Sequence, residues 1–311
     1  MIDKPMDVLR DFPVRKSKKQ KQAFRDAVQS YLNTIGYDSA IEKGSMGAKN
    51  IVIGNPETAK YLVTAHYDTP AALPVPNLIT PCNAFTFIIY QFVIVGLFFL
   101  VAVGTGILIG LLFDSAEVAG AAGGIVYWVM LIAMLVGPAN KNNANDNTSG
   151  VVTVLETARS MPECCRDKVC FVLFDLEEAG LIGSSSYQKA HKNQTKDQIV
   201  LNLDCVGDGN EIMMFPNKKL KKNAEKMEQL RSITGTWGEK SIAIREKGFA
   251  YYPSDQKNFP YGVGIAAFNR SSWAGLYCSR IHTKKDTVLE ETNLNILRAA
   301  IVSMITCGAV K

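Results

Sequence analysis

Residues 168–180 read KVCFVLFDLEEAG, a strand-prone apolar run from Lys168 to Phe174 that stops abruptly at three carboxylates, Asp175, Glu177 and Glu178. A short run with no polar alternation, rich in β-branched and aromatic residues, reads as a strand buried on both faces. Such strands belong to sheets covered by helices, and in open α/β sheets functional groups collect where the strands end. Two other stretches repeat the arrangement. YLVTA at 61–65 runs into His66, Tyr67 and Asp68, and IVLNL at 199–203 runs into Asp204. Helix-like segments alternate with these runs, so the expected fold is α/β, a mixed, mostly parallel β-sheet sandwiched by helices.

The residues at the strand ends are those a pair of divalent cations requires. A period of two points His66 and Asp68 to the same side, so Asp68 can accept the second ring N–H of His66 and fix its tautomer. Neighbours in extended chain project oppositely, so one of Glu177 and Glu178 can bind metal while the other approaches a water from the side. Asp146 lies in NNANDNTSGV, a turn-rich loop leading into a helical segment from about Thr148 to Ser160. His282, in RIHTKKDT, supplies the nitrogen still missing, with Asp286 placed to orient it. The remaining histidine, His191, reads as an exposed residue of a polar helix.

Between His66 and Asp146 lie two apolar runs, Phe85 to Phe113 and Val118 to Val136. About 20 apolar residues cross a hydrocarbon core of roughly 30 Å, so both runs are long enough to span a membrane. Residues 83–139 are therefore read as a transmembrane helical hairpin inserted into a catalytic domain made of residues 1–82 and 140–311. Gly106 and Gly110 form one G-x-x-x-G and Gly120 and Gly124 another, and the two glycine faces are expected to meet. Two crossings return the chain to its starting side, so both halves of the site share one compartment. Lysine and arginine are plentiful on that side while the intervening turn carries Asp114 and Glu117, which places the catalytic domain in the cytoplasm. A hydrophobic lid or a subunit contact in a soluble protein is the other reading of the insertion.

Composition excludes several classes. The net charge of +5 is modest, and the one dense basic run, Arg15, Lys16, Lys18, Lys19 and Lys21, gives no argument for a nucleic-acid partner. That run reads either as attracted to anionic headgroups or as a solvated first helix turn. Seven cysteines, an odd number without C-x-x-C spacing, fit neither a disulfide framework nor a thiolate zinc site, and suit a reducing compartment. The amino-terminal stretch has no apolar core of the length a secretory signal needs.

With HYDTP, ANDNTSGV, FDLEEAGLIGSSSY, NLDCVG and IHTKKDT in this order, the chain resembles the co-catalytic zinc exopeptidases that include bacterial leucyl aminopeptidases and glutamate carboxypeptidases. The resemblance covers about residues 20–70 and 140–311 and excludes the hairpin. It implies two zinc ions bridged by Asp146, with His66 and Asp204 completing one site and Glu178 and His282 the other. Glu177 becomes the general base, Asp68 the supporting acid, and a peptide with a free amino terminus the substrate. One departure is Gln256 in SDQKNF, where relatives often carry histidine; the hairpin is the other. A glutaminyl cyclase, which shares this scaffold with a single zinc, and a membrane receptor or scaffold built on an inactive peptidase are the alternatives. The residue preference and the oligomeric state are not legible in the sequence.

Overall fold

The computed structural model describes residues 2–73 and 75–307. Its strands are β1 (Ser39–Lys43), β2 (Lys49–Ile53), β3 (Tyr61–His66), β4 (Val169–Phe174), β5 (Ile199–Leu203), β6 (Glu211–Pro216), β7 (Gly235–Trp237), β8 (Lys240–Ile244), β9 (Gly262–Ser271) and β10 (Gly275–Tyr277). They form one mixed sheet in the order β1-β2-β4-β3-β5-β9-β6-β8-β7, with β10 paired to β9. The four central strands β4, β3, β5 and β9 run parallel, and β1, β2 and β6 join antiparallel. The expected α/β architecture is the observed one.

The apolar runs that predicted buried strands are buried on both sides. Phe171 and Leu173 of β4 face one core together with Val63 and Ala65 of β3 and Leu201 and Leu203 of β5. That core is closed by helices α1 (Asp7–Asp11) and α2 (Lys18–Thr34), and further along by the helices of residues 150–160 and 291–307. Cys170, Val172 and Phe174, one residue out of phase, face a second cluster with Tyr187 and Phe259. The alternation is the pleat itself, and covering both faces removes any reason for polar residues in these strands.

Helices α3 (Ala84–Phe113) and α4 (Ala116–Val136) form the inserted hairpin, joined by a tight turn in which Asp114 adopts a left-handed conformation. Asn83 caps α3 by accepting from the Thr86 amide, and Ser115 caps α4 by accepting from the Val118 amide. Both helices are long and apolar enough to cross a membrane. Side chains such as Leu111 (77% exposed) and Leu135 (62%) point away from protein, an apolar surface without a partner among the described residues. Both hairpin ends join the sheet beside the end of β3, where Ala72 donates to Pro138 and Asn140 donates to Pro70.

The seam between α3 and α4 corrects the glycine pairing expected from sequence. A Cβ added at Gly106 would lie 2.7 Å from the Ala119 carbonyl, and one at Gly123 would lie 2.9 Å from the Ala102 carbonyl. Gly120 and Gly124 have open space instead. The contact stripe of α4 is Ala119 and Gly123, also four apart but rotated about 100° from the expected pair. Small residues bring the backbones together whichever register is used, so the motif alone did not select one.

The remaining helices follow in order: α5 (Gly150–Ser160), α6 (Ile182–Ala190), α7 (Lys192–Thr195), α8 (Lys218–Lys221), α9 (Ala224–Arg231) and α10 (Glu291–Cys307). Helix α5 packs on β3 and on α10 beneath the site, while α6 covers the opposite face.

Two residues of the basic run turn inward, against both sequence readings. Ser17 starts α2 with a capping box to Gln20, and this fixes Lys21 over the sheet, where its ammonium pairs with Asp175 at 2.7 Å. Arg15 is fully buried. Its guanidinium donates to the carbonyls of Tyr67 and Phe12 and to the Thr148 hydroxyl, tying the amino-terminal segment to the chain on either side of the site.

Candidate active site

The ends of β3, β4 and β5 deliver His66, Glu177 with Glu178, and Asp204 to one edge of the sheet, as their sequence positions predicted. Asp146 arrives from the loop before α5 and His282 from the loop after β10. His66 Nε2 is 3.2 Å from Asp146 Oδ1 and 3.8 Å from Asp204 Oδ1. His282 Nε2 is 2.9 Å from Asp146 Oδ2 and 3.7 Å from Glu178 Oε2. Three sets, His66–Asp146–Asp204, Asp146–Glu178–His282 and His66–Glu177–Glu178, each bring ligand atoms within 4.8 Å of one another. The two oxygens of Asp146 thus face two different donor groups.

The Asp146 loop is held by its own side chains. Asn147 donates to the Leu203 carbonyl and accepts from the amides of Gly150 and Cys205, and Asn145 accepts from the Gly207 amide. A loop rich in Asn supplies local acceptors and donors where no strand does, and here they clamp it to the end of β5. Gly150 sits so close to the Leu203 carbonyl that a Cβ would approach to 2.3 Å. Leu176, Cys205 and His282 adopt positive φ. Non-glycine residues rarely do so, and the three adjoin or belong to the candidate ligand set.

Asp68 lies beside His66, as expected, but does not hydrogen-bond its ring. His66 Nδ1 faces its Oδ1 at 3.5 Å, longer than a hydrogen bond, and the carboxylate accepts from the amides of Glu177 and Glu178 at 3.1 and 3.3 Å. One acid therefore holds the backbone of both glutamates, while the buried His66 Nδ1 has no hydrogen-bond partner among the described residues. Asp286 differs from expectation. It accepts from the backbone amides of Asn145 and Asp146 at 2.7 and 3.1 Å, so it braces the Asp146 loop rather than the His282 ring. His191, expected to be exposed, is half-buried against the Tyr187 ring and 2.9 Å from Glu42 Oε2, outside the cluster.

The electrostatics describe a site short of positive charge. Burial pushes the Glu178 carboxyl up to about 8; His282 opposes that and Asp146 adds to it. Burial likewise raises Glu177 well above the usual carboxylate range, with His66 opposing and Glu178 reinforcing. Burial favours the neutral ring of His282, yet Glu178 and Asp146 raise it to about 9. Asp146 is held below the ordinary carboxylate range, because the imidazoles of His282 and His66 outweigh its burial. Carboxylates that keep protons beside histidines that hold theirs are a cluster whose chemistry calls for cations. The donor set of imidazole nitrogen and carboxylate oxygen fits zinc.

Two features went unread in the sequence. Arg15 was hidden in a run that looked like a solvated surface. Asp255, beside the substitution at Gln256, is fully buried with both carboxyl oxygens unpartnered, and burial pushes it up to about 7. Gln256 itself turns inward, donating to the Tyr252 carbonyl and accepting from Asn202.

Comparison with known proteins gives the family and the fold. Aminopeptidase YwaD of Bacillus subtilis is 42% identical over 67 residues, which span 21% of this chain and 15% of that protein. The glutaminyl cyclase of Porphyromonas gingivalis superimposes with a TM-score of 0.58 at 15% identity, covering 98% of this chain and 96% of its own. A Zn-dependent exopeptidase from Parabacteroides distasonis does so with a TM-score of 0.56 at 16% identity, covering 94% and 92%. At such identities the two structures speak for the fold alone. Residues 114–304 match the model of Peptidase family M28, and the chain belongs to that family.

Proposed function

We propose that the chain is a membrane-tethered two-metal aminopeptidase that hydrolyses the amino-terminal peptide bond of peptides. The observation that carries this reading is the double-faced Asp146, whose Oδ1 approaches His66 and whose Oδ2 approaches His282. His66 and Asp204 would hold one divalent cation and Glu178 and His282 the other, with Asp146 shared and zinc the expected ion. When bound, such a pair acidifies a water and polarises the scissile carbonyl. Glu177 is the general base, taking the proton of the attacking water and returning it to the leaving amine. Burial raises its proton affinity above that of an ordinary carboxylate, the direction a group that takes a proton from water needs. Asp68 fixes the backbone of Glu177 and Glu178, so the base and its neighbouring ligand keep their separation.

In the same reading residues 83–139 form a membrane hairpin inserted into a catalytic domain of residues 1–82 and 140–311, with α3 and α4 crossing the bilayer. The catalytic residues face the cytoplasm under the positive-inside rule. Glutaminyl cyclization is the competing activity, favoured by the fold of the Porphyromonas enzyme. Against it stands the completeness of both donor groups.

Purified chain assayed on aminoacyl anilides should lose activity on chelation and regain it with zinc. Glu177→Gln should lower turnover by ~100- to 10,000-fold with metal content kept. Ammonia release from peptides beginning with glutamine, without anilide hydrolysis, would favour the cyclase. Full activity of Glu177→Gln would remove the base from its role.

A further inference from the structure

Helix α3 has 30 residues and α4 has 21, and both leave the same tight turn at residues 114–115. The nine extra residues therefore project from the opposite end of α3 by about 13 Å. The 21 residues of α4 already span about 32 Å, roughly the hydrocarbon core. If α4 crosses the core, the first turns of α3, Ala84 to Phe92, rise out of it on the side where the sheet lies. Those turns are apolar and open, with Phe85 74% and Phe92 71% exposed. Apolar surface of this kind costs about 25 cal/mol per Å² in water, so it needs a cover.

Two loops of the catalytic half meet these turns at the same height. The Phe87 ring lies 5.3 Å from the Tyr251 ring, and the Tyr251 amide donates to Pro81 just before α3. The Asn83 carboxamide donates to the carbonyls of Trp273 and Ala274. The loop before residue 252 and the turn between β9 and β10 are thus fixed to the start of α3. Both present exposed aromatics, Phe249 (42%), Tyr251 (45%) and Trp273 (66%), and the first also exposes Lys247. Tyr251 and Trp273, whose rings carry a polar edge, together with the apolar ring of Phe249, beside a cation and level with the end of a membrane span, are the composition that settles at headgroup depth.

We infer that Phe249, Tyr251 and Trp273, together with the first turns of α3, form a lipid-docking surface that lays the catalytic half against the bilayer. The occupant is the headgroup and upper acyl region, because the patch is continuous with the span and set by its length. The inference rests on α3 and α4 crossing the membrane. The segment joining β3 to α3 also runs past the site, with Leu73 donating to the His282 carbonyl at 2.8 Å, so docking fixes the height of His282 above the membrane.

The chain has three tryptophans, at positions 128, 237 and 273. Single-tryptophan versions of the full chain, retaining Trp128 or Trp273 and carrying phenylalanine elsewhere, can be placed in liposomes of brominated phosphatidylcholine. We expect Trp273 to lose more fluorescence to bromines near the headgroups than to bromines near the bilayer centre, and Trp128 to show the opposite order. Quenching of Trp128 with none of Trp273 overturns docking and leaves the spans standing. Quenching of neither overturns both. If a single-tryptophan chain does not fold, hydrogen exchange on the unmodified protein reads the same surface. Amides 247–251 and 271–274 should then exchange more slowly in liposomes than in amphipol, and equal rates overturn the docking.

Discussion

Asp68 is the residue that holds both glutamates of the site, since its carboxylate accepts from the backbone amides of Glu177 and Glu178. Asp68→Asn keeps the size but leaves one acceptor oxygen where two backbone amides converge. Loss of such a supporting group typically costs ~10- to 100-fold in metal affinity or activity. We therefore expect kcat to fall by that order, with metal retention weakened, in steady-state assays and metal titration; unchanged values for both would deny the residue its positioning role. Proton linkage offers a second test at this scale. In the metal-stripped chain Glu178, pushed up to about 8 by burial, and His282, held at about 9 by Glu178 and Asp146 against its burial, keep protons that the unfolded chain releases at lower pH. The folded state binds more protons, so stability is fullest at the low end of this window and falls from about pH 4.5 to about pH 9. The lowered Asp146 acts with the opposite sign, but only below the ordinary carboxylate range. Melting temperature measured with chelator should fall across the window and flatten when zinc is restored; a rise with chelator would contradict the assignment. His66, Glu178 and Asp204 were legible because the buried strands β3, β4 and β5 run into them, whereas the burial of Arg15 and the partners of Asp286 were not. Their partners are backbone groups of other segments, and backbone acceptors and amides leave no pattern in side-chain spacing.

At the scale of elements, the two apolar helices were legible from length and composition, and their packing register was not. Periodicity marks a stripe of small residues, but a hairpin with several glycines and alanines offers more than one stripe. The structure separates them. Gly123→Leu would force a side chain into the Ala102 carbonyl, an overpacking that costs typically about 1–3 kcal/mol, while Gly120→Leu points into open space. Unfolding in detergent should show a lowered midpoint for the first and little change for the second. Equal losses would place the seam elsewhere. The strands fared better in the sequence because burial on both faces demands continuous apolar runs, which β3, β4 and β5 satisfy. The short edge strands β7 and β10, partly exposed, carry no such demand and were not anticipated.

For the whole molecule, the unusual fact is a hairpin inserted between His66 and Asp146 without separating them. The insertion is tolerated because its two ends lie side by side, Ala71 bridging Ala139 and Asn140 donating to Pro70, so the sheet meets a closed connection rather than a gap. The sequence foretold an α/β body and an apolar hairpin. The hairpin's place between His66 and Asp146 also implied that it enters beside the site, but not which backbone groups close the connection, since contacts between distant segments are a property of the folded chain. The central claim, that the site holds two ions sharing Asp146, is tested most directly by crystals of the zinc-loaded chain measured at the zinc absorption edge. The account predicts two anomalous peaks, one among His66, Asp146 and Asp204 and the other among Asp146, Glu178 and His282, and the loss of both in Asp146→Ala. A single peak in the fully loaded protein, or two peaks that persist without Asp146, would contradict it.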